Sequence, residues 1–307
     1  MPDAQSQTLS DLSNQLAGAV ERGAASIAAV HARPQLASTG VHWRNGLVVT
    51  TNGTVRRDRG IGVTLPNGQR IAAALRGRDP STDLAVLEIA RDALPLATFG
   101  DAGGLKPGQL VLALARLDET GPRAAFGAVS VVAGAWRPWG AGEIDRLLQS
   151  DVSLYPGFGG GPLVDVSGRA LGINSGRLSR PYTTTLPLET VDRVVNDLTS
   201  HGYVRRGYLG AGLQPVRLQP SRRERLGLAR EGGLLVLTVQ PDGPASVGGL
   251  LVGDVIIAIG GKPVGEPEDV LKVLNGDTAG RTLVLQLVRG GELDTVEVLI
   301  GERPRGH

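Results

Sequence analysis

QSDVSLYPGFGGGPLVDVSGRALGIN, residues 149–174, decides how the rest of the chain is read. Its apolar runs, GPLVDVSG and ALGIN, are short, and each is broken by glycine, proline or serine. Runs of this length bounded by turn residues read as short strands. Between them stands a loop of unusual composition, Gly157-Phe158-Gly159-Gly160-Gly161. Such glycines have a folding reason, since the loop needs positive φ and close backbone approach.

The same pattern extends outward over residues 25 to about 190. SIAAVHA, GLVVTT, IGVTLPNG, DLAVLEIA, QLVLALA and AVSVVAGA are short apolar runs separated by turn chemistry such as Pro66-Asn67-Gly68. Strands at this density argue for an all-β sandwich or barrel and against a βαβ unit. Two helices flank the region. Leu9, Leu12, Leu16 and Val20 recur at spacings of three and four, which predicts an amphipathic helix over 8–22 with Ser10 or Asp11 as its cap. LETVDRVVNDLTS (188–200) predicts a second, ended by His201-Gly202, which opens a linker. Beyond it, GGLLVLTVQPDGPASVGGLLVGDVIIAIGGKPV alternates strands with Gly and Pro turns. EPEDVLKVLNG (266–276) reads as a helix, and TLVLQLVRGGELDTVEVLI as a hairpin turning at Gly290-Gly291. Strands plus one helix in this span make a separate small domain.

Composition removes several function classes. The chain has 307 residues, 41% apolar and 20% charged, with 45 glycines and 19 prolines, which favours strands and turns over long helices. Aromatics are only 3%, so the core is built from Val, Leu, Ile and Ala. No run is long enough to span a membrane. The net charge is +2, and the densest basic patch, Arg222-Arg223-Glu224-Arg225, is broken by an acid, so no nucleic-acid partner is expected. Cysteine is absent, which excludes disulfides, thiol catalysis and cysteine-based metal sites. The histidines, His31, His42, His201 and His307, show no helical metal-binding spacing, so neither metal nor cofactor is expected. The N-terminal stretch lacks the basic and apolar regions of a signal peptide. The chain is therefore expected in the cytoplasm if Met1 is the true start, and in the periplasm or another extracytoplasmic space if a signal segment was trimmed.

Three segments in order resemble the HtrA/Deg family of trypsin-like serine proteases. STGVHWRNGLVVTTNGTV (38–55) is similar to the family's strand–turn–strand ending in T-N-N-H-V-V. DPSTDLAVLEI (79–89) is similar to D-P-x-T-D-L-A-V-L. QSDVSLYPGFGGGPLVDVSGRALGIN is similar to the Gly-rich nucleophile segment, and residues 205–302 resemble the PDZ domain that follows it in the family. The resemblance implies a mainly β fold: an N-terminal helical segment (1–24), a trypsin-like double β-barrel (25–200), a linker (201–206), a small α+β PDZ domain (207–302) and a tail (303–307).

Acyl transfer in that family uses a serine nucleophile, a histidine base, an aspartate that orients the imidazole and backbone amides for the oxyanion. Carried over residue by residue, the aspartate position is Asp83, while the histidine position falls on Gly53 and the serine position on Gly159. Phe158 stands where the family has asparagine, so the former oxyanion loop is Gly157, Phe158 and Gly159. Glycine carries neither nucleophile nor base, and Ser150, Ser153 and the four histidines are not placed to substitute. The expectation is therefore a pseudoprotease, not an enzyme. Asp83 is expected to hold a turn through backbone amides, and Phe158 either to fill the emptied cleft or to pack on the barrel surface.

A PDZ domain takes a peptide as an added edge strand, with its carboxylate on a loop of amides. The resemblance implies a loop at Tyr208, Leu209, Gly210 and Ala211, a docking strand over 211–215 cut short by Pro215, and an opposite wall bearing Val270, Leu271 and Leu274. The expected partner is a protein or a peptide C-terminus. A homotrimer or a place in a larger complex is implied by the family. A scaffold is the leading reading, with a chaperone-like binder of unfolded clients and an endopeptidase using unconventional residues as alternatives.

Overall fold

The computed structural model describes residues 4–90, 93–137, 142–178, 183–228, 230–274 and 278–302, with side chains described from Thr8 onward. The tail (303–307) lies outside the described residues. The chain divides into two compact units, Met1–Val204 and Arg205–His307.

The first unit begins with helix α1 (Ala4–Ala24). It starts earlier than the leucine spacing predicts, so Ser10 and Asp11 lie within the helix and cap nothing. Six short strands follow: β1 (Ile27–His31), β2 (Ser38–Arg44), β3 (Leu47–Thr51), β4 (Ile61–Thr64), β5 (Arg70–Asp79) and β6 (Leu84–Glu88). They close into a barrel in the order β1-β2-β3-β6-β5-β4. A second six-stranded barrel follows: β7 (Leu110–Arg116), β8 (Pro122–Ala133), β9 (Leu147–Ser150), β10 (Pro162–Asp165), β11 (Ala170–Ser175) and β12 (Thr183–Pro187), in the order β10-β11-β12-β9-β8-β7. Closure removes the exposed strand edges that such short strands would otherwise present. Helix α2 (Leu188–His201) ends the unit, with Gly202 at φ 79° as its left-handed cap.

Each barrel has its own aliphatic interior. Val30, Val48, Val63 and Leu87 fill the first, and Val111, Leu148, Leu163 and Leu171 the second. A third cluster joins them: Val41, Val49 and Val86 of the first barrel meet Leu114, Val164 and Ile173 of the second, with Val191, Val194 and Leu198 of α2 packed on top. This cluster holds the two barrels in one fixed relation, and the loops that cross above it are positioned by that relation. In α1, Leu16 and Val20 pack against the same cluster, whereas Leu9 and Leu12 are exposed.

The second unit contains β13 (Gly207–Tyr208), β14 (Ala211–Arg217), α3 (Pro220–Arg225), β15 (Gly232–Val239), α4 (Pro244–Val247), β16 (Val255–Ile259), β17 (Lys262–Pro263), α5 (Pro267–Val273), β18 (Thr282–Arg289), β19 (Glu292–Leu299) and β20 (Gly301–Glu302). Its main sheet runs β14-β15-β16-β18-β19, and β13 pairs with β20. The β18–β19 hairpin turns at Gly290 and Gly291, both at positive φ, as their sequence predicts. Helix α5 is shorter than 266–276, and residues 275–277 lie outside the described residues. The core is again aliphatic, built on Leu234, Val236, Ile256, Leu285, Leu287 and Val298.

One buried charge braces this unit. Asp254 is 2% exposed and accepts two hydrogen bonds from Arg289, at 2.8 and 2.7 Å, and one from the Leu251 amide at 2.8 Å. Burial pushes its carboxyl up, but these donors outweigh burial and hold it below the ordinary value. A depressed carboxyl stabilises the fold above its unfolded value of 3.8, and that contribution is lost as pH falls through the lower folded value. Asp254→Asn is expected to cost about 2 kcal/mol, read by denaturant unfolding at pH 7, with the deficit shrinking under strongly acid conditions.

Candidate functional site

The Gly-rich loop of the second barrel lies against β2 and β3 of the first. The Thr39 hydroxyl donates to the Gly157 carbonyl at 2.9 Å and accepts from the Arg116 amide at 3.1 Å. The Thr50 hydroxyl donates to the Thr39 carbonyl at 2.7 Å. The Gly160 amide donates to Asn174 and the Asn174 amide to Gly161, at 3.0 and 2.9 Å. The glycines are required for different reasons. Gly157 and Gly160 sit at φ 95° and 87°, where a side chain is strained. Gly161 has no positive φ, but a Cβ there would lie 2.0 Å from the Leu114 carbonyl oxygen. Gly159 has neither constraint, for its nearest neighbour would be Thr51 Oγ1 at 3.5 Å. The expectation that the run is fixed by positive φ and close backbone approach thus holds at Gly157, Gly160 and Gly161 and is corrected at Gly159.

Phe158 does not occupy the cleft. It is buried among Val129, Leu148 and Leu163 in the second barrel, edge-on to Tyr155. Both sequence-based readings of it, cleft plug and surface packing, give way to a core role. With Phe158 anchored inward, Gly157, Gly160 and Gly161 are buried and Gly159 is half-buried. The Phe158 amide donates to Tyr155, while those of Gly157 and Gly159 donate to no group among the described residues.

Gly53 and Asp83 meet at the mouth of the first barrel. Gly53 lies in the single turn Asn52–Thr54 that follows β3. Asp83 Oδ1 accepts from the Gly53 amide at 2.8 Å, Oδ2 from the Ser175 hydroxyl at 2.7 Å, and the Asp83 carbonyl from the Asn52 amide at 2.9 Å. Asp83 therefore does hold a turn through backbone amides. It does so from a left-handed backbone, φ 56°, a conformation that Asp and Asn tolerate better than most residues. Burial raises its carboxyl, and the bonds from Ser175 and Gly53 and the charges of Arg177 and Arg56 only partly offset that.

A residue that the sequence did not single out completes the site. The Arg177 side chain lies across Gly53: a Cβ on Gly53 would come 2.4 Å from Arg177 Cδ and 3.2 Å from Asp83 Oδ1. Its Nε is 3.9 Å from Asp83 Oδ1. The candidate substitutes lie elsewhere. Ser150 is buried at the end of β9, and Ser153 lies beyond that strand. His42 is buried in β2, with its ring nitrogens engaged by the Pro95 carbonyl and the Gly46 amide. Among the described residues no group of three or more His, Cys, Asp or Glu side chains is placed to hold a metal.

In the second unit, Gly210 turns at φ 76° and its carbonyl accepts from Gln240 at 2.8 Å, while Leu209 is buried and its carbonyl accepts from Ala245 at 2.8 Å. The Tyr208 hydroxyl donates to Gln240 Oε1. The amides of Leu209 and Gly210 donate to no group among the described residues. Strand β14 continues to Arg217 and pairs only with β15, so its other edge is open among the described residues. Pro215 sits within it opposite Leu234 and does not end it. Of the expected opposite wall on and just after α5, Val270 and Leu274 are buried in the core and Leu271 is exposed. Ala211 packs partly against that core.

The two units match separate family models. Residues 38–173 match the trypsin-like peptidase domain and residues 207–300 the PDZ domain. The structure of the HtrA-type protease AlgW with a tripeptide is 30% identical and superposes with a TM-score of 0.77, over 95% of this chain and 98% of that one. This chain belongs to the HtrA-type protease family. The HtrA-type chain is also similar, with a TM-score of 0.77 and 27% identity, to the serine endoprotease from Yersinia pestis. A Brucella suis relative named "Probable periplasmic serine endoprotease DegP-like" is 33% identical over 282 residues. A Halomonas elongata relative of the same name is 31% identical over 277. The chain spans about half the length of these curated relatives, 54% and 57%.

These relatives overturn the expectation that the chain is not an enzyme, since those matched are named as serine endoproteases and HtrA-type proteases. The expectation rested on side chains missing at two positions. That is a statement about Gly53 and Gly159 and not a measurement of turnover.

Proposed function

We propose that this HtrA-type chain binds polypeptides, capturing the C-terminal end of a peptide on the open edge of β14. The observation that carries this reading is an unpaired strand edge ending at a turn whose Leu209 and Gly210 amides are unspent. An extended peptide adds to such an edge by backbone hydrogen bonds, and amides at its end hold a carboxylate. The solved AlgW structures carry a decapeptide and a tripeptide, which supports peptide binding for the family. In the first unit we assign Gly53, Asp83 and Gly159 to the family's triad positions and the cleft beside them to polypeptide. We place the chain in the periplasm, the compartment named for its curated relatives, where a chain without cysteine offers no thiol to oxidise.

The test is fluorescence anisotropy of a labelled peptide with a free C-terminus against the same peptide amidated. Amidation is expected to weaken binding about tenfold, since it removes charge-assisted hydrogen bonds. Equal affinity contradicts carboxylate capture. Casein turnover, assayed on the same preparation, decides whether binding is followed by cleavage.

A homotrimer is the assembly we propose, supported by family membership and by exposed Leu9 and Leu12 on α1. Light scattering should return three times the 31.9 kDa chain mass. A monomer mass that does not change with concentration contradicts it.

A further inference from the structure

The notch at Gly53 and the side chain of Arg177 fit each other. Adding a Cβ to Gly53 would drive it to 2.4 Å from Arg177 Cδ, so glycine is what lets the arginine lie across this turn. The guanidinium is held there without being consumed. Its Nε stands 3.9 Å from Asp83 Oδ1, beyond hydrogen-bond range, and the carboxylate already takes its bonds from the Gly53 amide and the Ser175 hydroxyl. Among the described residues no acceptor takes a hydrogen bond from the guanidinium, and the Arg177 side chain is 63% exposed. Arg56 also acts on Asp83, so two positive charges face one buried carboxylate.

The Gly-rich loop beside the same turn supplies further donors. The position of a Cβ on Gly159 would be 3.5 Å from Thr51 Oγ1 and 4.0 Å from Thr54 Cγ2, so the Gly-rich loop and Arg177 flank the one turn that bears Gly53. The amides of Gly157 and Gly159 are unspent, and no side chain at 159 fills the space in front of them. A guanidinium and backbone N–H groups that adjoin one turn without a hydrogen-bond acceptor suit a planar anion, which a carboxylate meets with two oxygens.

We propose that this cleft is a carboxylate receptor, in which Arg177 and the amides of Gly157 and Gly159 hold a carboxylate of a bound polypeptide. The inference rests on the polypeptide-binding reading for the class of its ligand. It adds a second recognition point, separate from the β14 edge, and gives the arginine a role that sequence spacing does not reveal. The carboxylate comes either from an Asp or Glu side chain or from a chain end.

The test is a ¹H–¹⁵N NMR titration of the full chain with three acetylated peptides: one acidic and amidated, one neutral with a free C-terminus, and one neutral and amidated. The Gly157 and Gly159 amides should shift with a carboxylate-bearing peptide and not with the neutral amidated one. A shift with the acidic amidated peptide assigns the side chain as the source, and a shift only with the free-acid peptide assigns the chain end. Arg177→Ala should weaken that response about tenfold, Arg177→Lys should restore part of it, and rising salt should weaken it. If the Leu209 and Gly210 amides shift while Gly157 and Gly159 stay still with every peptide, the receptor is overturned and the β14 reading stands. If neither pair moves, both fall. An unchanged affinity in Arg177→Ala overturns the role of the arginine.

Discussion

Gly160→Ala is expected to cost about 4 kcal/mol of stability, against less than about 1 kcal/mol for Gly159→Ala one position earlier. A Cβ at Gly160 would lie 2.3 Å from the Thr39 carbonyl oxygen, 2.4 Å from Thr50 Oγ1 and 3.0 Å from the Thr51 amide nitrogen. Two of these are backbone atoms of the opposing barrel, and Thr50 Oγ1 is committed to the Thr39 carbonyl, so the seam has no flexible tip to yield. The left-handed backbone, φ 87°, adds about 1 kcal/mol for any residue with a Cβ. At Gly159 nothing approaches closer than 3.5 Å and φ is not positive, so alanine meets ordinary contacts and narrows the unfolded ensemble. Urea unfolding of the two variants, side by side, measures the contrast. A mild Gly160→Ala would mean that the Gly-rich loop is not held against β2 and β3 as described.

Asp83→Ala should lose about 3 kcal/mol, whereas Asp83→Asn should fold with near wild-type stability at neutral pH. Alanine leaves the Gly53 amide and the Ser175 hydroxyl without their acceptors and must hold φ 56° unaided. Asparagine keeps an acceptor for Gly53, lets the Ser175 hydroxyl turn to accept, and tolerates the left-handed backbone. The two variants also separate charge from hydrogen bonding. Burial raises the folded carboxyl above its unfolded value of 3.8, so between those two values the folded protein binds the extra proton. Stability from this group therefore increases as pH falls through that window, and at neutral pH the ionised carboxylate is a net cost. Any advantage of Asp83→Asn over wild type should be largest near neutrality and shrink toward pH 4. A pH-independent difference, followed by denaturant unfolding across that range, would contradict burial as the dominant cause.

The fold was largely legible because it is written in short-range chemistry. Strands as brief as IAAVH or PLVD, each closed by Gly or Pro turns, leave a barrel as the economical way to bury both ends of the pattern. Helix α2 announced its stop through Gly202, and the last hairpin its turn through Gly290 and Gly291. Helix α1 was read too short because its first turn carries only small and polar residues, which leave no apolar period to follow. The site was half legible. Asp83, Gly53 and Gly159 were singled out through segment resemblance, and the turn-holding role of Asp83 followed from its side-chain chemistry. The inward Phe158 was not visible, since one aromatic between glycines has no periodicity to assign it a face. Arg177 was missed for a different reason: it is one of 32 basic residues, and its meeting with Gly53 is made by the closure of two barrels, not by any local spacing. The inference that the chain is no enzyme went further than two missing side chains support, and the endoproteases among its relatives correct it.

Capture of a peptide end on the β14 edge is tested by a crystal structure of the full chain with a bound free-acid peptide. The peptide should lie along the free edge of β14, with its terminal carboxylate about 3 Å from the Leu209 and Gly210 amide nitrogens. A peptide ordered elsewhere on the chain, with those two amides still unoccupied, would contradict it.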